Sequence, residues 1–142
     1  MQRAAVKAAG PKHRESHAQR ALFRWIRKQG NLLPGLEHAF AIPNGAYLQG
    51  DKLQRAKRWG QLKAEGAQEG VSDIFVPVPR GQFHGLWIEM KAAKPHDAAV
   101  TPAQWGWIAA MRTQGYEAVL CRGEREAMAA ILDYYNMGVR RG

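Results

Sequence analysis

A chain of 142 residues, 46% hydrophobic and 23% charged, has the length and balance of one globular domain with a core of its own. Its 21 Lys and Arg against 12 Asp and Glu leave a net charge of +9, which points to a polyanionic partner, nucleic acid ahead of an anionic membrane surface. A single cysteine, Cys121, excludes an intrachain disulfide and a cysteine-rich zinc site.

Residues 1–12 read as a basic, Ala-rich tail, 13–136 as the domain and 137–142 as a second short tail. A helix is predicted over 13–29, with Ala18, Leu22, Trp25 and Ile26 at helical spacing and Gly30 as the stop. A loop follows, then a weakly alternating strand over 37–42, closed by the turn signal Pro43-Asn44-Gly45. Residues 51–65 favour a helix. The apolar run 71–76 reads as a strand ended by Pro77-Val78-Pro79. The turn Arg80-Gly81-Gln82 leads into a second strand over 83–92, as an antiparallel hairpin. Thr101-Pro102-Ala103-Gln104 has the form of a capping box, and its helix runs to Gly115. A strand over 116–121 and a helix over 123–135 complete the order. The stretch from Trp87 through the Thr101 helix to Val119 is long enough for a parallel crossover. The class is α/β, a small mixed sheet flanked by helices. Trp25, Trp105 and Tyr134 fall on apolar helical faces and are expected in the core. No apolar run approaches the roughly 20 residues of a membrane span. No secretory leader is visible, and a reducing cytoplasm is the expected setting.

Positive charge is clustered. Arg3, Lys7, Lys12, Arg14, Arg20, Arg24, Arg27 and Lys28 precede residue 37, with Glu15 as the lone carboxylate. Lys52, Arg55, Lys57, Arg58 and Lys63 form a second group. Such clusters suit phosphate binding.

The chemistry concentrates in the two central strands. Side chains two apart on a strand share a face, so Glu89 and Lys91 point one way and Ile88 and Met90 the other. Charges in a buried strand are costly unless paired or metal-bound. Phosphodiester hydrolysis needs a cation against the phosphoryl oxygens and an activated water. Asp73 and Glu89 can supply oxygen ligands for a hard divalent ion and the Met90 carbonyl a backbone ligand, while Lys91 can orient or help deprotonate water. A salt-bridge cluster explains the same three residues equally well. Glu15 lies on the inward face of its helix with Ala18, Leu22 and Ile26. That suits either a third acid at the site or an acid placed near a helix start. Gln104 fits the capping box first and a site contact second. His13 and His17 are one turn apart, but no third zinc ligand accompanies them.

The segments Gly70-Val71-Ser72-Asp73 and Gly85-Leu86-Trp87-Ile88-Glu89-Met90-Lys91 resemble the PD-(D/E)XK nuclease motif and, more narrowly, the virus-type replication-repair nuclease (VRR-NUC) domain. Glu15 with Gln19, Ile42-Pro43-Asn44-Gly45, Lys63 with Gly66, Gln104-Trp105, Gly115-Tyr116 and Arg122-Gly123 extend the likeness over about 13–136. Ser72 departs from the motif's proline. The resemblance implies a restriction-endonuclease-like core and a Mg²⁺ or Mn²⁺ site. Asp73 and Glu89 would be ligands, Lys91 the catalytic lysine, Glu15 a supporting, indirect acid and Gln104 part of the site region. It further implies a phage-type stand-alone enzyme, acting in a bacterial cell or infected host as a homodimer on branched DNA such as four-way junctions. Arg20, Arg24, Lys52, Arg55, Lys57, Arg58, Lys63 and Lys94 are the expected DNA contacts. The competing reading is a nucleic-acid binding module without catalysis.

Overall fold

The computed structural model describes residues 11–43 and 48–138. The expected basic tail, up to residue 10, and most of the expected turn at Pro43-Asn44-Gly45 lie outside the described residues. Among the described residues, four helices flank a four-stranded sheet of order β1-β2-β3-β4, formed by Phe40–Ala41, Ile74–Val76, Leu86–Lys91 and Glu117–Arg122. The first two pairings are antiparallel and the third is parallel.

Helix α1, Pro11–Gln29, starts two residues before the expected position. Its stripe Ala18, Leu22 and Ile26, spaced four residues apart, is buried against Ile74, Val76, Leu86, Ile88 and Met90 of the sheet. Gly30, at φ +51, ends it in a conformation that a residue with Cβ resists. The strand expected over 37–42 is mostly absent. Leu36–His38 forms a 3-10 turn, with Leu36 buried and Gly35 at φ +89 before it. Anchoring Leu36 in the core leaves β1 only the pairs Phe40↔Phe75 and Ala41↔Ile74.

Helix α2, Lys52–Ala64, opens with the Asp51/Gln54 capping box and has no buried residue. Lys63 Nζ lies 3.2 Å from Glu69 Oε1, and Trp59 Nε1 donates to the same oxygen at 3.4 Å. These two contacts tie the helix to the loop that follows it.

The register Ile74↔Ile88 would set Ser72 opposite Met90 in a continued ladder. There the Met90 N–H would go to the Ser72 carbonyl. It donates instead to Asp73 Oδ2, at 2.7 Å. A side chain has replaced a ladder acceptor, so β2 starts at Ile74 rather than 71 and the sheet forks at this end. The next strand starts later than expected because Phe83 is taken into a bridge with Arg80.

Helix α3, Pro102–Thr113, crosses between β3 and the parallel β4, and α4, Glu124–Tyr135, packs back on the sheet. Buried Ile108 and half-buried Gln104, Trp107 and Met111 form the inward stripe of α3. Trp105 lies off that stripe at 48% exposure, so it is not the core residue expected from sequence; Tyr134 is. The outer edge of β4 is closed by side chains. Glu117 Oε1 accepts the Ala118 N–H at 2.9 Å, Arg112 Nε donates to the Ala118 carbonyl at 3.1 Å, and Glu126 takes the Arg122 N–H. Capping of this kind discourages addition of another strand. Among the described residues no helix is long and apolar enough to cross a membrane.

Candidate active site

The fork gathers charge at one end of the two central strands, whose other residues are apolar. On β3, Leu86, Ile88 and Met90 join the core beneath α1. Trp87 stacks on Phe75 of β2, with centroids 4.3 Å apart, on the other face of the sheet. Glu89 and Lys91 continue the Trp87 side of the strand and are 2% and 7% exposed.

Gln104 links this strand to α3. Its Oε1 accepts the Thr101 backbone N–H at 2.9 Å, while its backbone N–H donates to Thr101 Oγ1 at 3.1 Å. With the oxygen committed to the cap, the amide nitrogen faces away and donates to Glu89 Oε1 at 2.8 Å. The cap and the site contact, alternatives in the sequence, are two ends of one side chain.

The other Glu89 oxygen, Oε2, is buried without a donor among the described residues. The Asp73 carboxyl lies within hydrogen-bonding reach of Glu89, so one of the two acids must hold a proton for them to bond. Burial, above all, and then the Asp73 charge push the Glu89 carboxyl up to about 9, with Lys91 pulling the other way. Lys91 Nζ lies 3.8 Å from Glu15 Oε1, which brings the start of α1 to the end of β3. Asp73, Glu89, Lys91, Glu15 and Gln104 are therefore all brought together. In extended backbone the N–H and C=O of one residue share an edge, so the Met90 carbonyl lies on the Asp73 side of β3.

Among the described residues no three His, Cys, Asp or Glu side chains gather as a ready-made metal cage. Two carboxylates do gather, one with an oxygen lacking a donor. That donor set fits magnesium or manganese, hard ions that take one or two carboxylates and fill their remaining positions with water and phosphate.

The expected DNA contacts are spread out. Arg20 and Arg24 line a groove of about 750 Å³ beside Ala41. Arg27, from the same basic cluster, lines it too, since its spacing from Arg20 and Arg24 puts it on the same stripe. Lys52, Arg55, Lys57 and Arg58 are exposed along α2, whereas Lys63 is engaged by Glu69. Lys94 is exposed in the loop beyond Lys91.

A sequence model of the VRR-NUC domain matches residues 13–125. A solved structure titled "VRR_NUC domain protein" is similar at a TM-score of 0.75 and 24% identity, over 96% of this chain and 97% of its own. That likeness establishes the shared α/β fold. No protein of curated function matched the sequence. With the match spanning most of the chain, and with Asp73, Glu89 and Lys91 assembled at the sheet fork, the protein belongs to the VRR-NUC family of nuclease-type domains.

Proposed function

We propose that the protein is a Mg²⁺- or Mn²⁺-dependent endonuclease that cuts branched DNA, with four-way junctions as the leading substrate, and that it works as a homodimer. The observation that carries this reading is the Asp73–Glu89 carboxyl pair, two acids within hydrogen-bonding reach at the fork, with Glu89 buried and Asp73 half-buried. A cluster built for stability sets each acid against a base, whereas here two acids face each other.

Asp73, Glu89 and the Met90 carbonyl would hold the ion. When bound, it supplies positive charge against the phosphoryl oxygens of the scissile group. The residues of the chain do the rest. Gln104 immobilises one Glu89 oxygen and so fixes the carboxyl beside Asp73. Lys91, steered by Glu15, donates to the attacking water or takes its proton. The α1 and α2 cations bind flanking phosphates without regard to base sequence. A junction has two-fold symmetry, and paired cuts need two sites related by that symmetry, which one chain cannot supply.

The deciding experiment is incubation with a labelled four-way junction, with and without Mg²⁺ or Mn²⁺, and sedimentation of the protein to obtain its mass. Metal-dependent paired cuts and a dimer mass are expected. Binding without cutting in either metal would return the chain to the class of non-catalytic binding modules.

Charge reversal on α2 offers an independent check. The Arg55→Glu, Arg58→Glu double variant should weaken binding to junctions, flaps and duplexes alike, by about tenfold or more at low salt, with a shallower salt dependence. Filter binding across a salt series measures this. Both side chains are exposed, so the melting temperature should barely move.

A further inference from the structure

Beside the carboxyl pair lies a cleft of about 780 Å³. Its lining comes from separate parts of the chain: Ile42 and Pro43 after β1, Trp59 of α2, the loop 66–71, and α3 from its first turn to Trp107. Gln104 lines this cleft and also bonds Glu89, so the cleft and the carboxyl pair are contiguous. Its volume falls in the range of roughly 300–1,000 Å³ that suits a small organic group. A duplex does not fit there.

The wall sets two indoles and small apolar residues beside a few polar groups, Gln68, Glu69, Thr101 and Gln104. Glu69, its carboxylate, is already paired with Lys63 at 3.2 Å and accepts from the Trp59 indole at 3.4 Å. Lys63 also sits 5.7 Å from the Trp59 ring centroid. Trp59 is thus held in place, although it belongs to a helix with no buried residue and contributes nothing to the central core. Trp107 is different: it packs edge-on against Trp87 with centroids 5.2 Å apart and supports the sheet. A fixed, half-buried indole lining the cleft, on a helix bearing Lys52, Arg55, Lys57 and Arg58, pairs a stacking surface with phosphate-binding charge. That combination is how proteins hold single-stranded nucleic acid.

We propose that this cleft receives one unpaired nucleobase of the strand entering the site, stacked on Trp59, with its neighbouring phosphates directed to the α2 cations and to the carboxyl pair. The inference rests on the nuclease reading for the presence of a DNA strand, and not for its cutting. It supplies a reason for structure selectivity. A flap offers an unpaired base outright, a four-way junction offers one where a pair at its crossover opens, and a continuous duplex offers none; stacking accepts any base because every base has a π-face.

The test uses the whole protein without divalent metal, so that no strand is cut. The ligands are a flap DNA, with a fluorescent adenine analogue as the unpaired nucleotide at the branch, and a continuous duplex of the same length. Binding should quench the analogue, as stacking on an indole does. Trp59→Ala should remove the quench and weaken flap binding about tenfold, while duplex binding stays unchanged. Trp59→Phe, which keeps a ring, should restore both. Equal loss on the two DNAs would overturn the proposal by making Trp59 a mere anchor for α2. A quench that survives Trp59→Ala would overturn it too. A protein that quenches the analogue yet never cuts with metal would sink the nuclease reading and leave this inference standing; cutting without any quench would do the reverse.

Discussion

Glu89→Gln should abolish cleavage and at the same time make the metal-free protein more stable. Glutamine keeps the acceptor that Gln104 bonds, and its amide offers Asp73 the donor that an ionised Glu89 lacks. The sign follows from the proton balance. Glu89 holds its proton to about pH 9 in the folded protein, against an ordinary value of 4.5. Between those two values the unfolded chain has released this proton and the folded chain has kept it. Metal-free stability therefore falls as pH rises through that window. Glutamine does not titrate, so the advantage of the variant is absent near pH 4.5 and grows toward pH 9. At pH 8 it should be on the order of 2 kcal/mol, or roughly 4–8 °C in melting temperature. Thermal melts of both proteins at several pH values, in a chelator, measure it. Added Mn²⁺ should raise the melting temperature of the wild type and leave the variant unmoved. A variant less stable than the wild type across the whole window would show that Glu89 serves as a structural ion-pair partner, and the metal-site reading would fall with it.

Lys91→Ala should cost about 10²- to 10⁴-fold in cleavage rate, the range for removing a group that moves or orients a proton. Its effect on the fold has the opposite sign to that of Glu89→Gln. Lys91 is the buried cation facing Glu15 and Glu89, and its loss leaves three carboxyls crowded without a counter-charge. The metal-free variant should be less stable by about 1–3 kcal/mol at pH 8, an estimate reduced because Glu15 is partly exposed. The deficit should shrink as pH falls and the carboxyls take up protons. The variant should still gain stability from Mn²⁺, since neither Asp73 nor Glu89 has changed. Single-turnover cleavage and parallel melts separate the two effects. Unchanged cleavage would remove Lys91 from the chemistry.

The parts of the fold that were legible in the sequence are those written in local pattern. The alternation around Trp87-Ile88-Glu89-Met90-Lys91 places its charged pair on one face, and the structure has Leu86, Ile88 and Met90 in the core beneath α1. Thr101-Pro102 and Gln104 announce a helix start, and both halves of the capping box are made. The misreadings occur where a tertiary contact overrides a local preference. Residues 37–42 alternate weakly, but burial of Leu36 coils the chain into a 3-10 turn and leaves a two-residue strand. Trp105 is apolar enough for a core, yet the stripe through Trp107 and Ile108 decides which side of α3 meets the sheet. The cleft at Trp59 has no signature in sequence, because its lining residues lie far apart along the chain.

The periods of strand and helix, the caps and the excess of positive charge follow from backbone stereochemistry and composition, and the sequence alone determines them. It thereby determined an α/β domain carrying an acid, a second acid and a lysine in adjacent strands. Tertiary structure alone decided that Asp73 would take the place of a ladder acceptor, that Glu15 would reach Lys91 and that Gln104 would cap its helix and bind Glu89 at once. Each of these contacts joins residues whose approach depends on how the helices pack on the sheet. No local rule of residue preference contains that information.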